Sequence, residues 1–179
     1  RPRVQLPDAS SLRMPELRDV DWSVGTAAAF AGLRQQRSAA DGAAAEADAV
    51  AVLSRLHALQ VHVIIDAPLP IFGAAAYRCS DPFNRMNPAC AAGLTVPRAE
   101  MEALRAPQMA LLTRLAARFP ALHVWDPLPV LCPGSTCAAM DGDQPLYFDH
   151  DHLSGHGNRV LLPDFNRLLM QMGTPALVP

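Results

Sequence analysis

At 179 residues, with 50% hydrophobic and 18% charged residues, the chain is long enough to bury one core and too apolar to stay disordered. A net charge of −2, with no basic stripe and no cationic amphipathic segment, argues against nucleic acid and against a membrane surface as partners. All 15 basic residues are arginine, so chemistry that needs a Schiff-base or P-loop lysine is excluded.

Residues 1–20 carry little pattern, and Val20–Val24 reads as a short strand. Residues 43–59 read as a helix whose apolar face is Ala49, Val52, Leu53, Leu56 and Leu59. The β-branched run Val61–Ala67 follows, closed by Pro68, and reads as a strand buried on both faces. Residues 68–96 form a long loop rich in proline and carrying two cysteines. Residues 97–119 are helical, with Pro107 expected to divide them in two. Leu122–Asp126 is a second strand, closed by Pro127, and 127–145 is loop. Ser154 is the expected cap of a last helix towards Met170, broken at Pro163. Helices that feed short buried strands imply an α/β fold with a small parallel sheet, whose site lies beyond the carboxyl ends of the strands.

No apolar run is long enough to span a bilayer; the best, 61–77, is interrupted by Asp66, Pro68 and Pro70. The chain does not begin with Met and shows no signal peptide, so it is expected to be one domain excised from a longer protein. Cys79 lies near Cys90, and Cys132 near Cys137, in turn-rich segments. Two local disulfides in an oxidising compartment are expected; four reduced, buried thiols are the alternative, and spacing does not fix the connectivity.

Chemistry concentrates near the end, in Leu146-Tyr147-Phe148-Asp149-His150-Asp151-His152-Leu153-Ser154-Gly155-His156-Gly157. A serine nucleophile needs a base within hydrogen-bond reach, and the base needs a carboxylate to hold its tautomer. Asp149, placed three residues before His152, can serve one ring nitrogen and leave the other for a nucleophile. No serine sits on a recognisable strand-to-helix turn. Ser10, Ser11, Ser23, Ser135 and Ser154 read as turn or capping residues.

The string Leu146-Tyr147-x-Asp149-x-x-His152-Leu153-Ser154-x-x-Gly157, preceded by Cys132 and Cys137, resembles the C-terminal block of SGNH (GDSL-like) hydrolase domains. The likeness is to those fused behind the membrane acyltransferase 3 domain of bacterial O-antigen and surface-glycan O-acetylases. It runs from about Trp22, through Val63-Ile64-Ile65 with Pro68 and Pro70, and is densest over Cys132–Leu168. The resemblance implies a three-layer, flavodoxin-like α/β domain with helices on both faces of its sheet, here without the first strand that bears the Gly-Asp-Ser block. It makes His152 the catalytic base and Asp149 its supporting acid, with Ser154 and Gly157 structural. Asn158 stands where the family has a small residue, and the oxyanion-hole glycine and asparagine have no assigned counterpart.

The implied activity is acetyl transfer to a glycan hydroxyl through a Ser-His-Asp mechanism, with the nucleophile absent from this chain. The implied partners are an integral-membrane acyltransferase domain of the same chain and the glycan acceptor. No cofactor is expected in this domain; acetyl-CoA would serve the membrane domain. The expected location is the periplasmic side of a bacterial inner membrane. Carbohydrate acetylesterase activity is one alternative. Another is a glycan-docking module in which Trp22, Trp125, Tyr77 and Tyr147 stack on sugars. A third is a metal site from His150, Asp151, His152 and His156.

Overall fold

The computed structural model describes residues 39–84 and 86–177. The strand expected at 20–24, Trp22, and Ser10, Ser11 and Ser23 lie outside them. Helix α1 spans Ala39–Ala58, in an alanine-rich stretch of high helix propensity. Its end is set by the backbone. Gln60 adopts φ 57°, Gln60 N–H donates to the His57 carbonyl (3.0 Å), and Val61 N–H donates to the Leu56 carbonyl (3.0 Å). This is the paired closure that stops a helix at a left-handed residue. The apolar stripe is rotated from the expected one. Leu53 is buried with Ala49 and Val50 packed beside it, while Val52 is 56% and Leu59 72% exposed. Val52 lies about 100° around the helix from Leu53, and Leu59 lies past the helix end.

Strand β1, Val63–Asp66, pairs in parallel with β3, Leu122–Trp125, in the register Val63↔Leu122 to Asp66↔Trp125. Between them the chain runs through α4, Arg98–Arg118. Alternation along β3 sends Leu122 to one face and Trp125 to the other. On the Leu122 face, Leu53 of α1 and Leu115 and Phe119 from α4 and its end form a buried cluster with Val63 and Ile65. Glu46 of α1 and Arg114 of α4 add an exposed ion pair at 2.7 Å. On the other face the Trp125 ring packs on Phe165, with centroids 4.7 Å apart, and its Nε1–H donates to Asp164 Oδ2 (2.9 Å). Both partners belong to the last helix, α6, Gly155–Gln171. The expected three layers, helices on both sides of a small parallel sheet, are therefore present. Strand β1 is only half-buried rather than buried on both faces, because β3 is its one paired neighbour among the described residues.

Neither internal proline breaks its helix. Pro107 lies within a continuous α4 and Pro163 within a continuous α6. Both are exposed, so the carbonyls of Ala103 and Arg159, each deprived of its partner four residues on, lie on the solvent side of the helix. Packing of Met101 and Leu112 around Pro107, and of Leu161 and Leu169 around Pro163, holds the turns on either side.

The two expected loops carry structure of their own. Residues 68–96 contain α2 (Ala76–Cys79), a 3₁₀ turn (Pro82–Asn84), α3 (Pro88–Gly93) and β2 (Thr95–Pro97). Residues 127–145 contain α5 (Leu128–Leu131), β4 (Thr136–Ala138), which pairs antiparallel with β2, and the ribbon β5–β6 (Met140–Asp141, Gln144–Pro145). These elements are too short to leave a periodic signal. Disulfides Cys79–Cys90 and Cys132–Cys137 staple them, with Cα–Cα distances of 5.6 and 4.5 Å. The second pair is fully buried in the main core with Phe72, Leu131, Tyr147 and Leu161. Two local disulfides, as expected, are present, and the structure fixes their connectivity.

Candidate active site

The segment Leu146–Ser154 doubles back on itself. Leu146 N–H donates to the Ala139 carbonyl (2.9 Å) and Ser154 N–H to the Leu146 carbonyl (2.9 Å). Tyr147 and Leu153 form an antiparallel bridge, and Phe148 N–H donates to the His152 carbonyl (2.7 Å). Residues 148–152 are thereby closed into a small loop on a buried base, since Tyr147 is fully buried against Phe72 (centroids 4.9 Å). His150 fixes the loop to the chain leaving β1: Phe72 N–H donates to the His150 carbonyl (2.9 Å), and the His150 Nδ1 is 2.9 Å from the Phe72 carbonyl oxygen. This puts the loop beside the segment that leaves the carboxyl end of β1, as the α/β rule requires.

Within the loop, Asp149 does two things. Its Oδ1 accepts from the backbone N–H of His152 (2.8 Å) and of Asp151 (3.1 Å), a turn that aspartate favours through its short acceptor side chain. Its Oδ2 lies 2.8 Å from His152 Nδ1. One carboxylate therefore shapes the loop and orients the ring. Nδ1 is the nitrogen that faces the acid; no described group is hydrogen-bonded to Nε2, and the His152 side chain is 76% exposed. Sequence spacing brought these two residues together correctly.

Partial burial acts to raise the Asp149 carboxyl, but the backbone N–H groups of His152 and Asp151 and the His152 ring outweigh it and hold the group at about 2. It is ionised at any physiological pH. The hydrogen bond that the His152 ring donates to Asp149 raises the imidazole above its ordinary 6.5, with the charges of Asp151 and Asp149 adding to the effect. Asp151 was not legible as a partner of His152: its Oδ1 lies 3.2 Å from the same Nδ1. The pattern D-x-D-H offered the signal, because a turn closed by Asp149 brings the carboxylate two residues on back onto the ring. Asp151→Asn is expected to move the His152 titration to lower pH, measured from its ring proton shifts by NMR. An unmoved midpoint would mean that Asp151 does not bear on the ring.

Ser154 is structural. Its hydroxyl donates to the Pro145 carbonyl and accepts from Gly157 N–H (3.0 Å), capping α6. Gly157 is required by close approach, because a Cβ there would drive into the carbonyl oxygen of Leu146. Gly157→Ala should push the start of α6 off the loop and cost about 3 kcal/mol of stability. A thermal melt checks this, and an unchanged midpoint would deny the close approach. Asn158, at the position where the resemblance implied a small residue, is absorbed locally, with its amide donating to the Ser154 carbonyl (3.0 Å).

Other described serines are engaged elsewhere: Ser54 Oγ donates to the Val50 carbonyl (2.7 Å) and Ser80 Oγ to the Tyr77 carbonyl (2.7 Å). Ser135 is exposed within the Cys132–Cys137 loop. The four-residue metal set does not assemble. His156 Nε2 pairs with Asp141 Oδ2 (2.8 Å), and His150 is bound to Phe72. Among the described residues, Asp149, Asp151 and His152 bring ligand atoms within 4.8 Å of one another, but both carboxylates there converge on Nδ1. Of the proposed sugar-stacking aromatics, Tyr147 and Trp125 are packed in the fold, and Tyr77 is exposed.

The model of a protein family described as "SGNH domain (fused to AT3 domains)" matches residues 18–167. No curated protein and no solved structure gives a significant match.

Proposed function

The chain belongs to the SGNH domain family fused to AT3 domains, a hydrolase-like domain of acyltransferase fusions, and from that membership we propose that it carries the base and acid of an acetyl-transfer site. The acceptor is a hydroxyl of a bacterial surface glycan such as O-antigen. The observation that carries the reading is the Asp149 carboxylate on His152 Nδ1 at 2.8 Å, with Nε2 on a side chain open to solvent.

In this reading a serine from outside the described residues meets Nε2. His152 takes the hydroxyl proton as Oγ attacks the acetyl carbonyl carbon, and Asp149 stabilises the imidazolium that forms. The leaving group departs with that proton, and an acetyl-serine ester remains. A glycan hydroxyl then gives its proton to His152 and attacks the ester carbonyl. The serine oxygen leaves and recovers the proton, so the site is regenerated and the acetyl group resides on the glycan.

The two disulfides support an oxidising compartment, here the periplasm. No helix of the described residues is long and apolar enough to cross a membrane, and the membrane step belongs to the AT3 domain. That domain would draw acetyl groups from acetyl-CoA. Water replacing the glycan turns the same chemistry into an acetylesterase, and the 76% exposure of His152 favours that side reaction. The test is acetyl transfer and acetyl-ester hydrolysis by the full-length protein with and without His152. Activity indifferent to His152 would reduce the chain to a docking module.

A further inference from the structure

Beside the Asp149–His152 pair stands a feature that acid–base chemistry does not use. The rings of Tyr77 and Phe148 lie against each other with centroids 5.2 Å apart and planes 35° from parallel. They remain 56% and 57% exposed. They come from segments far apart in sequence, and each is held out by buried neighbours. Tyr77 rides on α2 between buried Ala76 and Cys79, and the Cys79–Cys90 disulfide ties that helix to α3. Phe148 follows fully buried Tyr147, and its own N–H closes the loop on the His152 carbonyl at 2.7 Å.

An exposed aromatic pair has a cost in water, because apolar surface left unburied forgoes the main stabilising contribution of a large side chain. This pair adds nothing to the core clusters. It does sit one residue from Asp149, at the base of the loop that presents His152. Its surroundings are polar: Arg78 and Asp151 are exposed, and Ser80 lies on the same turn as Tyr77. A ligand for such a platform needs an apolar face and a polar rim. A sugar ring has both, with C–H groups on its face and hydroxyls at its edge. A flat aromatic surface on rigid backbone buries the C–H face at little conformational cost and leaves the hydroxyls in water.

We propose that Tyr77 and Phe148 form the acceptor subsite, stacking on a sugar ring of the glycan so that one of its hydroxyls is presented to His152. The inference rests on the acetyl-transfer reading above and adds the element that chooses the acceptor. It also corrects the choice of stacking residues: Phe148 takes the place of Tyr147 and Trp125, which are packed in the fold.

The test uses the full-length protein, with surface polysaccharide from its own host, stripped of acetyl groups by mild alkali, as acceptor. A small aryl acetate reports ester turnover that needs no sugar. Tyr77→Ala and Phe148→Ala should each raise the KM for polysaccharide roughly 3- to 10-fold, from loss of one stacked ring, and by more than they lower aryl acetate turnover. Tyr77→Phe and Tyr77→Trp, which keep a ring, should restore the acceptor KM. An unchanged acceptor KM overturns the subsite. Equal losses with both substrates overturn it too, because they mean that the rings hold the loop or seat the membrane domain. His152→Ala separates the two levels: loss of both activities there with no acceptor effect at Tyr77 sinks only the subsite, while insensitivity to His152 sinks the acetyl-transfer reading beneath it.

Discussion

His152→Ala in the full-length protein is expected to lower acetyl-ester turnover by roughly 10⁴- to 10⁶-fold, the loss seen when a serine–histidine machine loses its base. The expectation follows from the division of labour at the ring. Asp149 occupies Nδ1, so Nε2 is the nitrogen left to take a proton. Neither imidazole nearest in sequence can substitute, because His150 is tied to Phe72 and His156 to Asp141. The fold should survive, since the side chain is 76% exposed and its backbone contacts, to Phe148 and to the Asp149 carboxylate, do not need the ring. Turnover compared at matched thermal stability is the measurement. A variant that melts normally and retains more than about a hundredth of the activity would remove His152 from the chemistry, because general base catalysis contributes at least roughly that much.

The site was more legible in sequence than the scaffold that holds it. Asp149 and His152 meet because three residues of a tight turn suffice to join them, and local spacing is what a sequence displays directly. Ser154 was legible as a cap for the same reason, and Gly157 as a structural position only, its close approach to the Leu146 carbonyl being visible in the fold alone. Asp151 was not, because its part depends on how the turn folds back. The clip between His150 and Phe72, 78 residues apart in the chain, left no local signal. At the level of elements, α1, β1, α4, β3 and α6 were visible through length and periodicity, whereas α2, α3, α5 and the short antiparallel strands were not.

Two misreadings share a cause. Val52 and Leu59 were placed on the buried face of α1 because they are apolar, and Pro107 and Pro163 were given the power to break helices because they are prolines. In each case solvent geometry decided the outcome. Val52 faces water because Leu53 and Ala49 already fill the contact with the α4 layer. The prolines are tolerated because the carbonyls they deprive are on the wet side of helices whose other side is locked by Leu115 or Leu161. Hydrophobicity and propensity are local quantities, while the direction of the core is a tertiary one.

Asp149→Asn should cost roughly 10²- to 10⁴-fold in turnover, the upper figure being that of a buried triad acid, while leaving the loop nearly intact. The asparagine oxygen can still accept from the N–H groups of His152 and Asp151, but it carries no charge to stabilise the imidazolium. Asp151 Oδ1, 3.2 Å from Nδ1, retains part of that charge and keeps the loss below its ceiling. Asp149→Ala removes both contributions, so it should also destabilise the loop.

The pH behaviour distinguishes these effects. In the wild type the raised His152 value places the acid limb of the turnover profile above pH 6.5, since the base works only when neutral. The asparagine variant should move that limb downward: more of the base is neutral at a given pH, yet the plateau is far lower. Stability carries the opposite signs for the two groups. Asp149, lowered from 3.8 to about 2, stabilises the fold above its unfolded value, and this contribution is lost as pH falls from about 4 towards 2. His152, raised by the same contact, stabilises fully below 6.5 and loses this as pH rises through its folded value. Melting curves of the wild type and Asp149→Asn should therefore lie furthest apart between those two windows, converge at the acid end, and draw closer without meeting at the alkaline end, where the carboxylate keeps its backbone N–H donors. A gap that stays constant as pH rises through the His152 value would mean that Asp149 acts on the backbone turn alone, and the upward shift of His152 would then come from Asp151.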